Sequence, residues 1–171
     1  NALALIIGIS QYDNAPQAKY ADRDANYFYD FAENTLGINN QNIKLISNSS
    51  ANNTSLKKAF KIWLRGYSTP NKSDIYIFFA GHGLASNNGK ELYLLPQDGD
   101  PDLLTRTAIS RSDLMQEIVR LKPRSVTMFL DMCYSGVSRN DETLLASARP
   151  VRIIAGEQGE IPGNFTIFSA S

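Results

Sequence analysis

Cysteine and histidine are almost absent from this sequence, which has one of each in 171 residues. One thiol closes no internal disulfide, and one thiol with one imidazole is too few for an ordinary zinc site. Charge of either sign is also not in excess. The 17 basic and 17 acidic residues cancel and are interspersed, leaving no electrostatic footprint for nucleic acid or an anionic membrane. No run approaches the ~18 apolar residues of a membrane span, and no basic segment leads into a signal-like apolar core. The lone cysteine favours a cytoplasmic protein. No glycine-rich phosphate loop follows the first apolar run, where GISQYDN stands, and this disfavours a plain flavodoxin-like binding domain. The chain starts at Asn1 and stops at Ser171 just past a strand-like run, so it reads as a piece of something longer.

What is present alternates. Ala2 to Ile9 is continuously apolar, the pattern of a central strand buried on both faces. Ser10 to Tyr20 reads as a loop leaving that strand's carboxyl end and bordering any site there. Asp22 to Leu36 has helical spacing, with Asp22 and Asp24 in its first turn and Gly37 as a stop. Ile43 to Ile46 is a short strand. Leu56 to Arg65 is a helix capped by Thr54 or Ser55, burying Leu56, Phe60, Trp63 and Leu64, and ended by Gly66. Asp74 to Ala80 is a further strand, and Leu92 to Pro96 reads as part of a small hairpin. Ser110 caps a helix running to Leu121, and Val126 to Leu130 is a buried strand followed by a turn at Tyr134 to Gly136. Residues 137–164 form a long loop without periodicity, and Phe165 to Ser169 is one more strand. Strands alternating with helices predict a single α/β domain over residues 1–171, with a mostly parallel sheet covered on both faces.

The chain's one cysteine and one histidine occupy matching places in this plan. Cys133 follows the strand in SVTMFLDMCYSG, and His82 follows the strand before Gly81-His82-Gly83. Neighbouring parallel strands would bring both to the carboxyl edge of the sheet, where ligands bind. A thiol beside an imidazole is a nucleophile with its acid/base. The plainer reading is an inert buried cysteine and a hydrogen-bonded structural histidine. Asp98, Asp100 and Asp102 in QDGDPD resemble half of a calcium loop but lack its closing glutamate, so an acidic turn is the stronger reading.

GHG at 81–83 paired with DMCYSG at 131–136 resembles the caspase-like cysteine peptidases, particularly the metacaspase, paracaspase and bacterial orthocaspase branch. The likeness extends to ALIIGISQY at the start, ADRDA at 21–25 and FTIFSAS at the end. The interval of 51 residues from His82 to Cys133 agrees with the ~50 of caspases. The resemblance implies a three-layer α/β/α caspase-like fold, and a cysteine endopeptidase with Cys133 as nucleophile and His82 as general acid/base. It implies oxyanion donation by the backbone N–H groups of Gly83 and Cys133, and it makes residues 165–171 the start of a small-subunit-like part.

The same resemblance assigns specificity. Asp131 lies two residues before Cys133, so strand alternation puts both side chains on one face. In metacaspase-like enzymes the residues matching Asp131 and Asp24 line a pocket for arginine or lysine, with Ala21 and Ala80 matching its wall. The implied partner is a peptide or protein with a basic P1 residue, together with the remainder of the chain; neither nucleic acid nor membrane is expected. The plain alternatives are a loop carboxylate bonded to backbone for Asp131 and a helix-dipole acid for Asp24. Lys19 could pair with either acid. Where calcium-dependent metacaspases carry paired aspartates, this chain has Ser110, Arg111 and Ser112, so no metal or other cofactor is expected. A basic pocket would also permit self-cleavage in the 137–164 loop at Arg139 or Arg152, Arg149 being followed by Pro150. Two other outcomes are a caspase-like peptidase of different P1 preference and a catalytically silent interaction module.

Overall fold

The apolar runs become the interior strands of one parallel sheet. In the computed structural model, which describes residues 1–86, 89–132 and 161–169, Ala2–Gly8 forms β1, buried from Leu3 onward. Ala21–Asn34 is α1, and Ile43–Ser47 is β2. Asn53–Lys58 is α2, continued by a π-helical stretch at Ala59–Trp63 and then by α3 at Leu64–Tyr67. Asp74–Ala80 is β3. Three short strands follow, β4 at Gly83–Ala85, β5 at Leu92–Leu94 and, after α4 at Leu104–Thr107, β6 at Ile109–Ser110. Arg111–Arg120 is α5, Ser125–Asp131 is β7 and Phe165–Ser169 is β8.

The main sheet has the order β2-β1-β3-β7-β8, and every pairing in it is parallel. β1 is interior, as its burial on both faces requires, but β3 rather than β1 is the middle strand. Leu5, Ile7, Ile77, Phe79, Met128 and Leu130 point to one face, where Leu56, Phe60 and Leu64 of the α2–α3 segment and Leu114 and Ile118 of α5 cover them. Ala4, Ile6, Phe78 and Ala80 point to the other and meet Ala21, Ala25 and Ala32 of α1. The result is the expected three-layer α/β/α arrangement of a caspase-like fold.

Several local expectations are corrected. The second helical segment begins at Asn53 rather than Leu56, because Asn52 and not Thr54 or Ser55 is its cap: the Asn52 side chain accepts from the Ser55 N–H. It also runs through Gly66 to Tyr67, Gly66 having a helical neighbour on each side, and Trp63 is half-buried rather than buried. The small hairpin is a three-stranded antiparallel sheet, β4-β5-β6. Ser110 caps α5 as expected, accepting from the Asp113 N–H. In QDGDPD, Asp98 accepts the Asn53 N–H at 2.7 Å and Asp100 accepts the Asp102 N–H at 2.9 Å, so two of the three carboxylates hold backbone. Among the described residues no group of three or more His, Cys, Asp or Glu side chains could hold a metal ion, and no helix is long and apolar enough to cross a membrane.

Candidate active site

Three strands end level with one another: Gly8 of β1 pairs with Ala80 of β3, and Ala80 pairs with Asp131 of β7. The ladder runs on for a residue, with the Ile9 N–H donating to the Ala80 carbonyl at 3.0 Å and the Gly81 N–H to the Asp131 carbonyl at 3.4 Å. The chain then delivers His82 to this rim.

His82 is only 6% exposed, and both its ring and its backbone are held. Its Nε2 lies 2.7 Å from the Pro16 carbonyl oxygen. A carbonyl can only accept, so Nε2 carries the proton, and in the neutral ring Nδ1 keeps the lone pair. The His82 backbone N–H donates to the Tyr12 hydroxyl at 2.8 Å, and the two rings sit 4.6 Å apart at 32°. Burial pushes the imidazole pKa below its usual value, opposed in part by the Pro16 carbonyl, so the neutral ring is favoured near pH 7. Burial likewise pushes the Tyr12 phenol well above its usual range against the opposing His82 N–H, and the phenol stays protonated.

Tyr12 and Pro16 are the site residues that sequence reasoning missed. A signal for Tyr12 existed in Gly81, where a Cβ would run into the Tyr12 hydroxyl; a glycine before the histidine marks close approach of another group, here a side chain rather than backbone. Pro16 acts through its carbonyl, which every residue has. The loop from Ser10 to Tyr20 therefore borders the site as expected.

Gly83 opens β4 opposite Leu94. Ser86 N–H donates to the Glu91 carbonyl at 2.8 Å and Leu95 N–H to that of His82 at 3.0 Å. These bonds fix the phase of the ladder and make Gly83 a non-hydrogen-bonded position, so its N–H points away from β5.

Of the specificity residues, Ala21 and Ala80 lie together in the cluster under α1. Asp131 is on the same face of β7 as Phe129, the α1 face, and is half-buried beside Ala80. Asp24 is half-buried in the first turn of α1, its N–H donating to the Tyr20 carbonyl at 2.8 Å. Lys19 is exposed and forms no ion pair among the described residues. Cys133, the turn at 134–136 and Arg139, Arg149 and Arg152 lie outside the described residues.

Comparison with known proteins agrees with this architecture. The family described as caspase domain matches residues 1–168. Among solved structures, a protein from Geobacter sulfurreducens superposes with a TM-score of 0.56 at 14% identity, over 80% of this chain and 52% of that one. The structure of pro-sf-caspase-1 superposes with a TM-score of 0.55 at 13% identity, over 99% of this chain and 60% of that one. The chain thus spans little more than half the length of either. No curated protein matches.

Proposed function

The chain belongs to the caspase-domain family, and from that premise we propose that it is a cysteine endopeptidase of the metacaspase–orthocaspase kind, cleaving after arginine or lysine. The observation that carries the reading is the anchoring of His82: Nε2 is committed to Pro16, so Nδ1 is the nitrogen available for proton transfer. A second observation supports pairing with Cys133. The β3–β7 register joins residues 51 apart, Ala80 with Asp131, the same interval that separates His82 from Cys133.

In this reading His82 Nδ1 takes the Cys133 proton, and the thiolate attacks the carbonyl carbon of the P1 residue. The charge that develops on the carbonyl oxygen meets the N–H groups of Gly83 and Cys133. Collapse breaks the C–N bond as His82 returns its proton to the leaving amine, giving a thioester. Water, deprotonated by Nδ1, then attacks the thioester, releasing the carboxylate product and the thiol. Asp131 and Asp24 attract the P1 cation across the small wall of Ala21 and Ala80, where a guanidinium can meet a carboxylate in two parallel hydrogen bonds. The mechanism uses no metal or cofactor. Self-cleavage after Arg139 or Arg152 belongs to the same proposal, as does a cytoplasmic setting with the rest of a longer chain as partner.

Fluorogenic peptides ending in Arg, Lys or Asp, offered to wild type and Cys133→Ala with and without calcium, test it. Turnover of Arg and Lys peptides, lost in Cys133→Ala and indifferent to calcium, is the expected result, with the acidic limb of kcat/KM below about 6.5 because His82 titrates low. Cleavage after Asp overturns the pocket while keeping the dyad. No turnover of any peptide leaves the silent interaction module. Mass spectrometry of the purified chain reads self-cleavage, and an intact loop in active enzyme removes that part.

A further inference from the structure

We propose that Asp22, Asn48 and Ser10 form a clamp that positions His82 from a distance, by fixing the root of the loop that holds its ring. The inference rests on the reading of His82 as the acid/base. The Asn48 Oδ1 accepts the N–H of Ser10 at 2.9 Å and of Gln11 at 3.3 Å, and its Nδ2 donates to Asp22 Oδ2 at 3.2 Å. The other Asp22 oxygen accepts the Ser10 hydroxyl, while the Ser10 oxygen accepts the Asp22 N–H at 3.0 Å. Three separate segments therefore meet in one half-buried polar knot: the residue pair after β1, the first turn of α1 and the turn after β2.

The knot also completes α1. Its N-cap residue Tyr20 has a left-handed backbone (φ 76°) and supplies no side-chain cap. The helix's orphan N–H groups would otherwise go unpaired. Ser10 takes that of Asp22, and Asp22 itself takes that of Arg23 at 3.0 Å. The Asp22 carboxyl is held below the usual carboxylate range, first by the Ser10 hydroxyl, against the opposing cost of burial and with further help from Asn48. An ionised Asp22 thus accepts from both partners at neutral pH.

From this knot the loop is closed by the Ala18 N–H donating to the Ser10 carbonyl at 3.0 Å. Inside the closed loop lie Tyr12 and Pro16, which hold the two ends of His82. The far side of the loop is strapped by Asp13, whose N–H donates to the Gln97 carbonyl at 3.0 Å and whose carboxylate accepts from the Gln97 amide at 2.7 Å. With that strap intact, loosening the knot lets the loop pivot and draws the Pro16 carbonyl off the imidazole. Displacements of this kind cost proton transfer far more than binding, because the reacting groups lose alignment. The structure also separates the two acids of the first turn: Asp22 belongs to the clamp, which leaves Asp24 as the acid of that turn for a cationic substrate.

Because the chain has one histidine, its imidazole can be titrated by NMR without ambiguity and without any activity. The experiment compares Asp22→Asn, Ser10→Ala and Asn48→Gly in a Cys133→Ala background, with Arg124→Ala, at the far end of the sheet, as control. The clamp predicts that the His82 pKa falls further below the ordinary 6.5, because the Pro16 carbonyl that opposes the effect of burial is withdrawn, and that its Nε2–H signal weakens, while Arg124→Ala changes neither. In the active protein, kcat should fall about 10-fold or more with KM for an Arg peptide nearly unchanged. A folded Asp22→Asn or Ser10→Ala protein with an unaltered His82 titration overturns the clamp. If the titration moves but wild type cleaves no peptide, the clamp stands and the peptidase reading fails.

Discussion

The two faces of the five-stranded sheet differ in how much alanine they carry. The face under α2–α3 and α5 is leucine, isoleucine, valine, phenylalanine and methionine, closed over all of β1, β3 and β7. The face under α1 mixes small and large residues: Ala4 and Ala80 lie with Ala21, Ala25 and Ala32, while Phe28 of α1 stacks on Phe78 at 4.5 Å. Small residues let a helix come close: a Cβ on Gly8 would lie 2.5 Å from the Ala21 carbonyl and 2.5 Å from the Ala25 methyl. These alanines of the sheet belong to β1 and β3. β7 alternates, with Val126, Met128 and Leu130 buried on one side and Thr127, Phe129 and Asp131 half-buried on the other. One face stabilises the domain; the other seats a helix at the rim and leaves Asp131 within reach of solvent.

Substitutions on opposite faces test this division. Phe79→Ala, at a fully buried position on the face under α2–α3 and α5, should cost about 3–5 kcal/mol through lost contact and an unfilled cavity, read as a lowered urea midpoint with an unchanged slope. Gly8→Ala should cost about 1–3 kcal/mol, since the clash is with backbone and α1 itself must shift; a neutral result would break the claim that the close seat matters. Phe168→Ala should cost no more than about 1.5 kcal/mol, because the ring is 55% exposed and its main contact is the stack on Phe129 at 5.1 Å. A loss matching that of Phe79 would show the two faces to be equally critical.

The smallest effect is on acid stability. Asp22 at the carboxyl rim and Asp74 at the opposite end both have carboxyls held low, by the Ser10 hydroxyl and by Arg124 respectively. A folded pKa below the unfolded value near 3.9 gives stability that is present above that pH and lost as pH falls through the folded pKa. His82 adds a step in the same sense at higher pH: its lowered pKa means that stability begins to fall as pH drops below about 6.5. Thermal midpoints measured from pH 7 to pH 3 should show both steps. Asp22→Asn should flatten the acidic one and deepen the step below 6.5, since loss of the Pro16 carbonyl lowers the folded-state His82 pKa further.

Much of the fold was legible from local pattern. Continuous apolar runs became β1 and β3, Ser110 capped α5, and the run after Gly163 became a strand, since burial periodicity and capping act within a few residues. The π-helical stretch at Ala59–Trp63 and the passage of helix through Gly66 were not legible. Phe60 and Leu64 are buried in the core, and burial of this kind outweighs the ~1 kcal/mol helix penalty of a glycine.

The sequence alone determined the inventory and its order: one thiol, one imidazole, each past a strand, with acids nearby. It could not say which nitrogen of His82 is committed, because the partner is the Pro16 carbonyl, a group common to all residues and 66 positions away. Nor could it say which of Asp22 and Asp24 is tied up, since both suit the first turn of a helix equally. Tertiary structure decided these matters because hydrogen bonds depend on where atoms meet, and those meetings join segments that local pattern treats as independent.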